Sequence, residues 1–130
     1  MFPESHRDLL SDEKRAAAYL ATLMPNGSPQ VTPVWFSYEN DELRINTMRG
    51  RVKEKNMSTR PQVALVIQDP DDTYRFIQIR GEVSGPIEDG AVEHFERLSQ
   101  KYDGKPFRPL RPNEVRVIFR IEPRSVSIEE

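Results

Sequence analysis

From Ala17 the chain reads AAYLATLM, then PNGS, then PQVTPVWFS. Two β-rich runs flank the pair Asn26-Gly27, which supplies the positive φ angles that a tight hairpin turn demands. No other local signal constrains the fold as strongly, because it commits this part of the chain to antiparallel pairing. A second turn at Glu39-Asn40-Asp41 leads into ELRINT, where Leu43 and Ile45 alternate with Glu42, Arg44 and Asn46. The spacing predicts a meander of three consecutive strands with one apolar and one wet face. Pro33 lies inside the second run. Having no N–H to give to a ladder, it marks an edge, a bulge or a stretch that faces something other than a neighbouring strand.

Further along, PQVALVIQ is an apolar run of strand length without alternation, which predicts a central strand buried on both faces. TYRFIQIRGEVSG alternates, with Arg75, Ile77 and Ile79 on one side and Tyr74, Phe76, Gln78 and Arg80 on the other, and Gly81 allows a bend or bulge. The last strand, EVRVIFRIEP, places Val115, Val117, Phe119 and Ile121 on one face, and RSVSIEE adds a short extension. Helices are fewer. The best spans Glu88 to Tyr102, with Val92, Phe95, Leu98 and Tyr102 as its buried stripe, Gly104 as its stop and His94 on its exposed side. An N-terminal helix is expected around Leu9 to Arg15, and a short one from Val52 to Thr59 that ends before Pro61. The pattern predicts a mainly β fold: a small barrel of six to seven mostly antiparallel strands with a few covering helices.

Residues 1–130 are read as one domain. With 36% hydrophobic and 31% charged residues the chain is polar for its size, and pairing with a second copy is the expected way to gain burial. No apolar run is long enough to cross a bilayer, and MFPESHRDLL lacks the order of a signal peptide, so a cytoplasmic protein is expected with no membrane partner. There is no cysteine, which excludes disulfides, thiolate nucleophiles and cysteine-held metals, so redox chemistry would have to come from a bound cofactor. His6 and His94 stand in separate polar segments and read as surface residues, and no metal site is expected.

One stretch departs from the acidic balance. Between Arg49 and Arg60, five cations (Arg49, Arg51, Lys53, Lys55 and Arg60) face Glu54 alone, a local charge of +4 in a chain of net charge -2. A strand that ends at Thr47, passes through Gly50 and opens a helix brings a hydroxyl, backbone N–H groups and the positive end of a helix dipole to one point. Arg51, Lys53 and Asn56 are spaced to gather around one anionic group, a phosphate site in outline. A solvated basic face explains the charge equally well. Nucleic acid fits poorly, since the chain is acidic overall and aromatic residues are not interleaved with the cations.

The order LATLMPNGSPQVTPVWF, INTMRGRVKEKN, PQVALVIQDP, YRFIQIRGEV resembles the pyridoxamine 5′-phosphate oxidase-like split-barrel flavoproteins, and within them the short branch that uses the deazaflavin coenzyme F-420. The resemblance covers about Ala17 to Val83. It implies a split barrel that pairs as a homodimer, with coenzyme F-420 or FMN in a groove lined by both subunits. By the same resemblance the phosphate falls to Thr47, Arg51 and Lys53, with Asn46, Val52 and Asn56 beside them. The ring system lies against Gln30, Thr32, Pro33, Val34 and Trp35. Trp35 either stacks near the cofactor or fills the core, and Gln78 reaches either the groove or solvent. KYDGKPFRPLR, Lys101 to Arg111, is either a solvated loop or a neighbour of the coenzyme's anionic tail. The namesake enzyme's C-terminal tryptophan-containing segment has no counterpart, because no tryptophan follows Trp35, so pyridoxamine phosphate oxidation is not expected. The implied activity is hydride transfer between the bound cofactor and a small conjugated or aromatic substrate. A non-catalytic carrier of the same cofactor is the alternative. No side chain stands out as acid or base; Tyr74 and Tyr102 are the tyrosines considered as proton donors.

Overall fold

A computed structural model describes residues 1–129. It contains a 3-10 helix at Glu4–Leu10, strands β1 (Ala17–Leu23), β2 (Pro29–Val34), β3 (Phe36–Glu39) and β4 (Glu42–Met48), and helix α1 (Val52–Thr59). Strands β5 (Gln62–Asp69) and β6 (Asp72–Ile87), helix α2 (Ala91–Asp103) and strand β7 (Arg116–Glu129) complete it. All strands belong to one antiparallel sheet of order β2-β1-β5-β6-β7-β4-β3.

That order dictates the shape. The two edge strands, β2 and β3, are separated in the chain by Trp35 alone. Seven strands laid flat would put the edges about 29 Å apart at the usual strand spacing, yet two peptide units reach only about 7 Å. The sheet must therefore curl until its edges meet, without a ladder between them. This is the expected split barrel, with seven strands. The expected three-strand meander is corrected: β2 pairs with β1, whereas β3 pairs with β4, so the run PQVTPVWFS is two strands on opposite edges. Its unbroken β-rich character conceals the break at Trp35.

Inside the curl lie Leu20, Phe36, Ile45, Ile67, Ile77, Ile79, Val117 and Phe119, all fully buried. Each removes enough apolar surface from water to contribute about 1.5–3 kcal/mol before the entropy of ordering. β5 is internal as expected, but Ala64 and Val66 on its second face are only half-buried, so it alternates after all. β6 is longer than its sequence pattern indicates and shifts register between Arg80 and Gly81. A Cβ at Gly81 would lie 2.2 Å from the Glu122 carbonyl oxygen, so any side chain there must move backbone. Gly81→Ala is expected to destabilise the fold by about 2 kcal/mol, read as a lower denaturant midpoint at unchanged slope. RSVSIE is no separate extension; it continues β7 along β6.

α1 has the expected bounds, and α2 ends at Gly104, whose φ of 70° suits glycine. The buried stripe of α2 is different from the expected one: Ala91, His94, Phe95, Leu98 and Ser99 face inward, while Val92 is exposed. Both histidines expected at the surface are buried. The N-terminal helix is also earlier than expected, because Leu9 and Leu10 themselves enter the core and end it there. Among the described residues no helix is long and apolar enough to cross a membrane.

Candidate functional site

The basic junction resolves into cations with different partners. Gly50, at φ 94°, turns the chain between β4 and α1. Its N–H donates to Glu54 Oε1 at 2.8 Å, and the Ser58 hydroxyl donates to Glu54 Oε2 at 2.7 Å. Burial opposes ionisation of Glu54, but these two donors with Arg49 and Lys55 hold its carboxyl below the usual range. Arg49 pairs with Glu88 at 2.8 Å. Arg60 donates to the Leu23 carbonyl at 2.8 Å and to Asn56 Oδ1 at 3.2 Å. Lys55 is exposed. Arg51 and Lys53 remain, with no ion pair among the described residues.

These two line a cleft of about 470 Å³ between α2, the ends of β4 and β7, and the β2–β3 link. Pro33, Val34, Trp35, Asn46 and Thr47 line it as well, so seven of the twelve residues singled out from the sequence converge there. Thr47 is buried, and its Oγ1 has no hydrogen-bond partner among the described residues. A buried hydroxyl left unbonded is costly unless a ligand completes it. Lys53 is held below the usual lysine value by burial first, then by Arg51 and Arg116. No carboxylate lines the cleft among the described residues, although the chain as a whole is acidic.

Arg116, which the sequence reading passed over, is the third cation. It is buried, its guanidinium lies 3.7 Å from the centre of the Phe95 ring, and its Nε donates to Asn46 Oδ1 at 2.8 Å. Burial and the nearby Arg51 push it down to about 10. In an alternating strand its side reads as wet; only the packing of α2 over β4 and β7 makes it interior. Arg15, at φ 50°, adds a fourth cation to the lining.

The opposite wall is aromatic and apolar: Phe95, Leu98, Tyr102 and Phe107 join Trp35 there. Trp35 stacks with Phe95 at 5.8 Å and with Tyr102 at 5.3 Å. Those partners are seven residues apart on α2, about 10.5 Å along its axis, nearly the two contacts placed end to end. The indole thus lies against both rings and lines the cleft beside them. The Tyr102 hydroxyl donates to the Ala16 carbonyl at 3.0 Å, and burial raises its pKa. Tyr74 is exposed and does not line the cleft.

Five singled-out residues lie outside the cleft lining. Asn56 is buried and donates to Thr22 Oγ1 at 3.0 Å, and Thr22 in turn donates to Gln30 Oε1 at 3.1 Å, so both tie α1 to β1 and β2. Thr32 keeps a buried hydroxyl without a partner among the described residues. Val52 is exposed at the start of α1, and Gln78 is exposed, accepting from Ser127 at 3.1 Å. In KYDGKPFRPLR, Lys101 is buried against the Phe36 and Tyr102 rings and Arg108 pairs with Glu114, so only Phe107 of its middle reaches the cleft.

A curled antiparallel sheet whose two edge strands meet without pairing is the split-barrel fold. The chain belongs to the pyridoxamine 5′-phosphate oxidase family, whose sequence profile it matches over residues 2–128. It is similar to an F-420 reductase of known structure, at 33% identity over 97% of this chain and 98% of that one, with a TM-score of 0.85. It shares the fold of a conserved hypothetical protein from Mycobacterium tuberculosis, at 22% identity and a TM-score of 0.74, over 100% of this chain and 86% of the other. No curated protein sequence matches it.

Proposed function

We propose that this protein is an oxidoreductase that holds a flavin-type cofactor by its phosphate and passes a hydride between it and a small conjugated or aromatic substrate. The observation that carries this reading is the buried Thr47 hydroxyl, unpartnered among the described residues, lining one cleft with Arg51, Lys53 and Arg116 and, among the described residues, no carboxylate. A phosphate satisfies that donor set: it accepts a hydrogen bond from the hydroxyl, and its charge offsets the burial and, secondarily, the mutual repulsion that depress Lys53 and Arg116. Both coenzyme F-420 and FMN carry such a group. The likeness to an F-420 reductase favours the deazaflavin.

When bound, either cofactor supplies the hydride chemistry. The chain's own residues bind and orient. Arg51, Lys53, Arg116 and Thr47 would hold the phosphate, while Pro33, Val34 and Trp35 offer an apolar surface for the ring system. Phe95, Leu98 and Phe107 keep water from that wall. The Tyr102 hydroxyl, committed to the Ala16 carbonyl, is poorly placed as a proton donor, which leaves water for that role. The half-buried Ala21, Ala64 and Val66 and the exposed Tyr19 and Val31, on strands β1, β5 and β2, form an apolar outer face suited to a second copy. A cytoplasmic homodimer is part of the proposal.

Titration of the purified protein with F-420 and separately with FMN, followed by absorbance and equilibrium dialysis, tests the reading. Saturable binding of one or both is expected, and binding of neither would sink it. Turnover of a panel of enones and quinones then separates an enzyme from a carrier of the same cofactor.

A further inference from the structure

His94 is fully buried at the seam between α2 and the sheet, among groups that leave one arrangement of protons. The Asn46 amide nitrogen donates to the Ala91 carbonyl at 2.8 Å and also lies 3.1 Å from His94 Nδ1. Because that amide must donate, Nδ1 is the acceptor and Nε2 carries the proton, which it gives to Ser37 Oγ at 2.8 Å. Asn46 Oδ1 is then free to accept from Arg116 Nε at 2.8 Å. Turning the amide over would face its oxygen to the Ala91 carbonyl and its hydrogens to the Arg116 donor, two repulsive contacts in place of two bonds. The Asn46 side chain is fully used, so although it lines the cleft it has no donor left for a ligand.

The same seam fixes the plane of the guanidinium. Phe95, next to His94 on α2, provides the ring on which Arg116 lies, and Asn46 provides the bond that sets its rotation. The terminal nitrogens of Arg116 make no hydrogen bond among the described residues, and the residue lines the cleft. An arginine held by Nε and by one face presents its two remaining nitrogens as a fork for an oxyanion. We propose that Ser37, His94 and Asn46 form a positioning relay whose task is to aim Arg116 at the ligand's phosphate. None of the three touches the ligand; they act through Arg116, and the inference rests on the phosphate site proposed above.

The relay makes the phosphate-dependent part of the affinity sensitive to residues that never meet the phosphate. The test compares F-420 and FMN with their phosphate-free rings, deazariboflavin and riboflavin, in the full chain. Asn46→Ala and Arg116→Ala should each weaken the phosphorylated ligand about tenfold and leave the phosphate-free ring within about twofold. The double variant should be no worse than Arg116→Ala alone, because both remove one interaction. His94→Gln, which can still donate and accept, should retain more affinity than His94→Leu. Equal loss for both ligand forms, or additive losses in the double variant, would overturn the relay. A ligand-free readout separates this from failure of the cofactor reading and does not depend on any variant folding. Nitrogen NMR of the wild-type protein should show His94 as the Nε2–H tautomer and a slowly exchanging Arg116 Nε–H; an Nδ1–H tautomer refutes the relay whatever binds.

Discussion

Replacing Arg51 and Lys53 together by alanine is expected to weaken binding of F-420 or FMN by more than tenfold. Two charge-assisted contacts of ~1.5 kcal/mol each would allow about a hundredfold loss. Arg51 is exposed at the start of α1 and Lys53 is half-buried, so solvent and salt screen part of that and tenfold is the floor. Raising the ionic strength should narrow the difference between wild type and variant. Lys55→Ala and Arg49→Ala serve as controls that each remove one positive charge from the same segment, because Lys55 points to solvent and Arg49 is already paired with Glu88. Both should stay within about twofold. An unchanged dissociation constant in the double variant, measured by dialysis, would refute the phosphate assignment.

Acidification should destabilise the protein before most of its carboxylates titrate. Burial, reinforced by Arg97, Arg44 and Arg116 and opposed by Glu39, lowers His94 to about 4 from its usual 6.5. The native state therefore refuses a proton that the unfolded chain accepts between those values. Stability is fully present above pH 6.5 and declines as pH falls toward 4, by about 3 kcal/mol in all. Asp8, Asp69 and Glu114 are also held below their ordinary values, so their losses come at lower pH than that of His94. Denaturant unfolding at pH 7 and pH 4.5 reads the difference. In His94→Gln most of the slope over that window should vanish, and a wild-type protein equally stable at both pH values would contradict the assignment.

The contrast between His94 and the short helix α1 marks what the sequence makes legible. α1 could be bounded because Gly50 and Pro61 punctuate it within a few residues. The Asn26-Gly27 hairpin, the β6 alternation and the Gly104 stop are local in the same way. On α2, Val92 and His94 compete for one stripe, and hydropathy favours valine. Only the presence of Ser37 and Asn46, brought alongside by the sheet, shows that a histidine can be satisfied inside. The basic junction has the same character: that Arg49 is engaged depends on Glu88, and that Arg60 is engaged depends on the Leu23 carbonyl, both far away in the chain. Arg116 was illegible for the complementary reason, since alternation assigns it to water until a helix is known to cover that face. The break at Trp35 leaves no trace in composition, because its flanks are apolar on both sides.

Trp35 is the sole tryptophan, and it is both the link between the barrel's edges and part of the cleft wall. The chain consequently carries its own optical gauge. Its indole emission arises from a single place, so spectra need no dissection among several sources. Opening the seam would free the ring from Phe95 and Tyr102 and move that emission toward the red. A near-ultraviolet absorber lodged in the cleft would instead dim it by energy transfer without moving it. One wavelength scan can thus tell a frayed barrel from an occupied one, which makes every variant described above self-reporting.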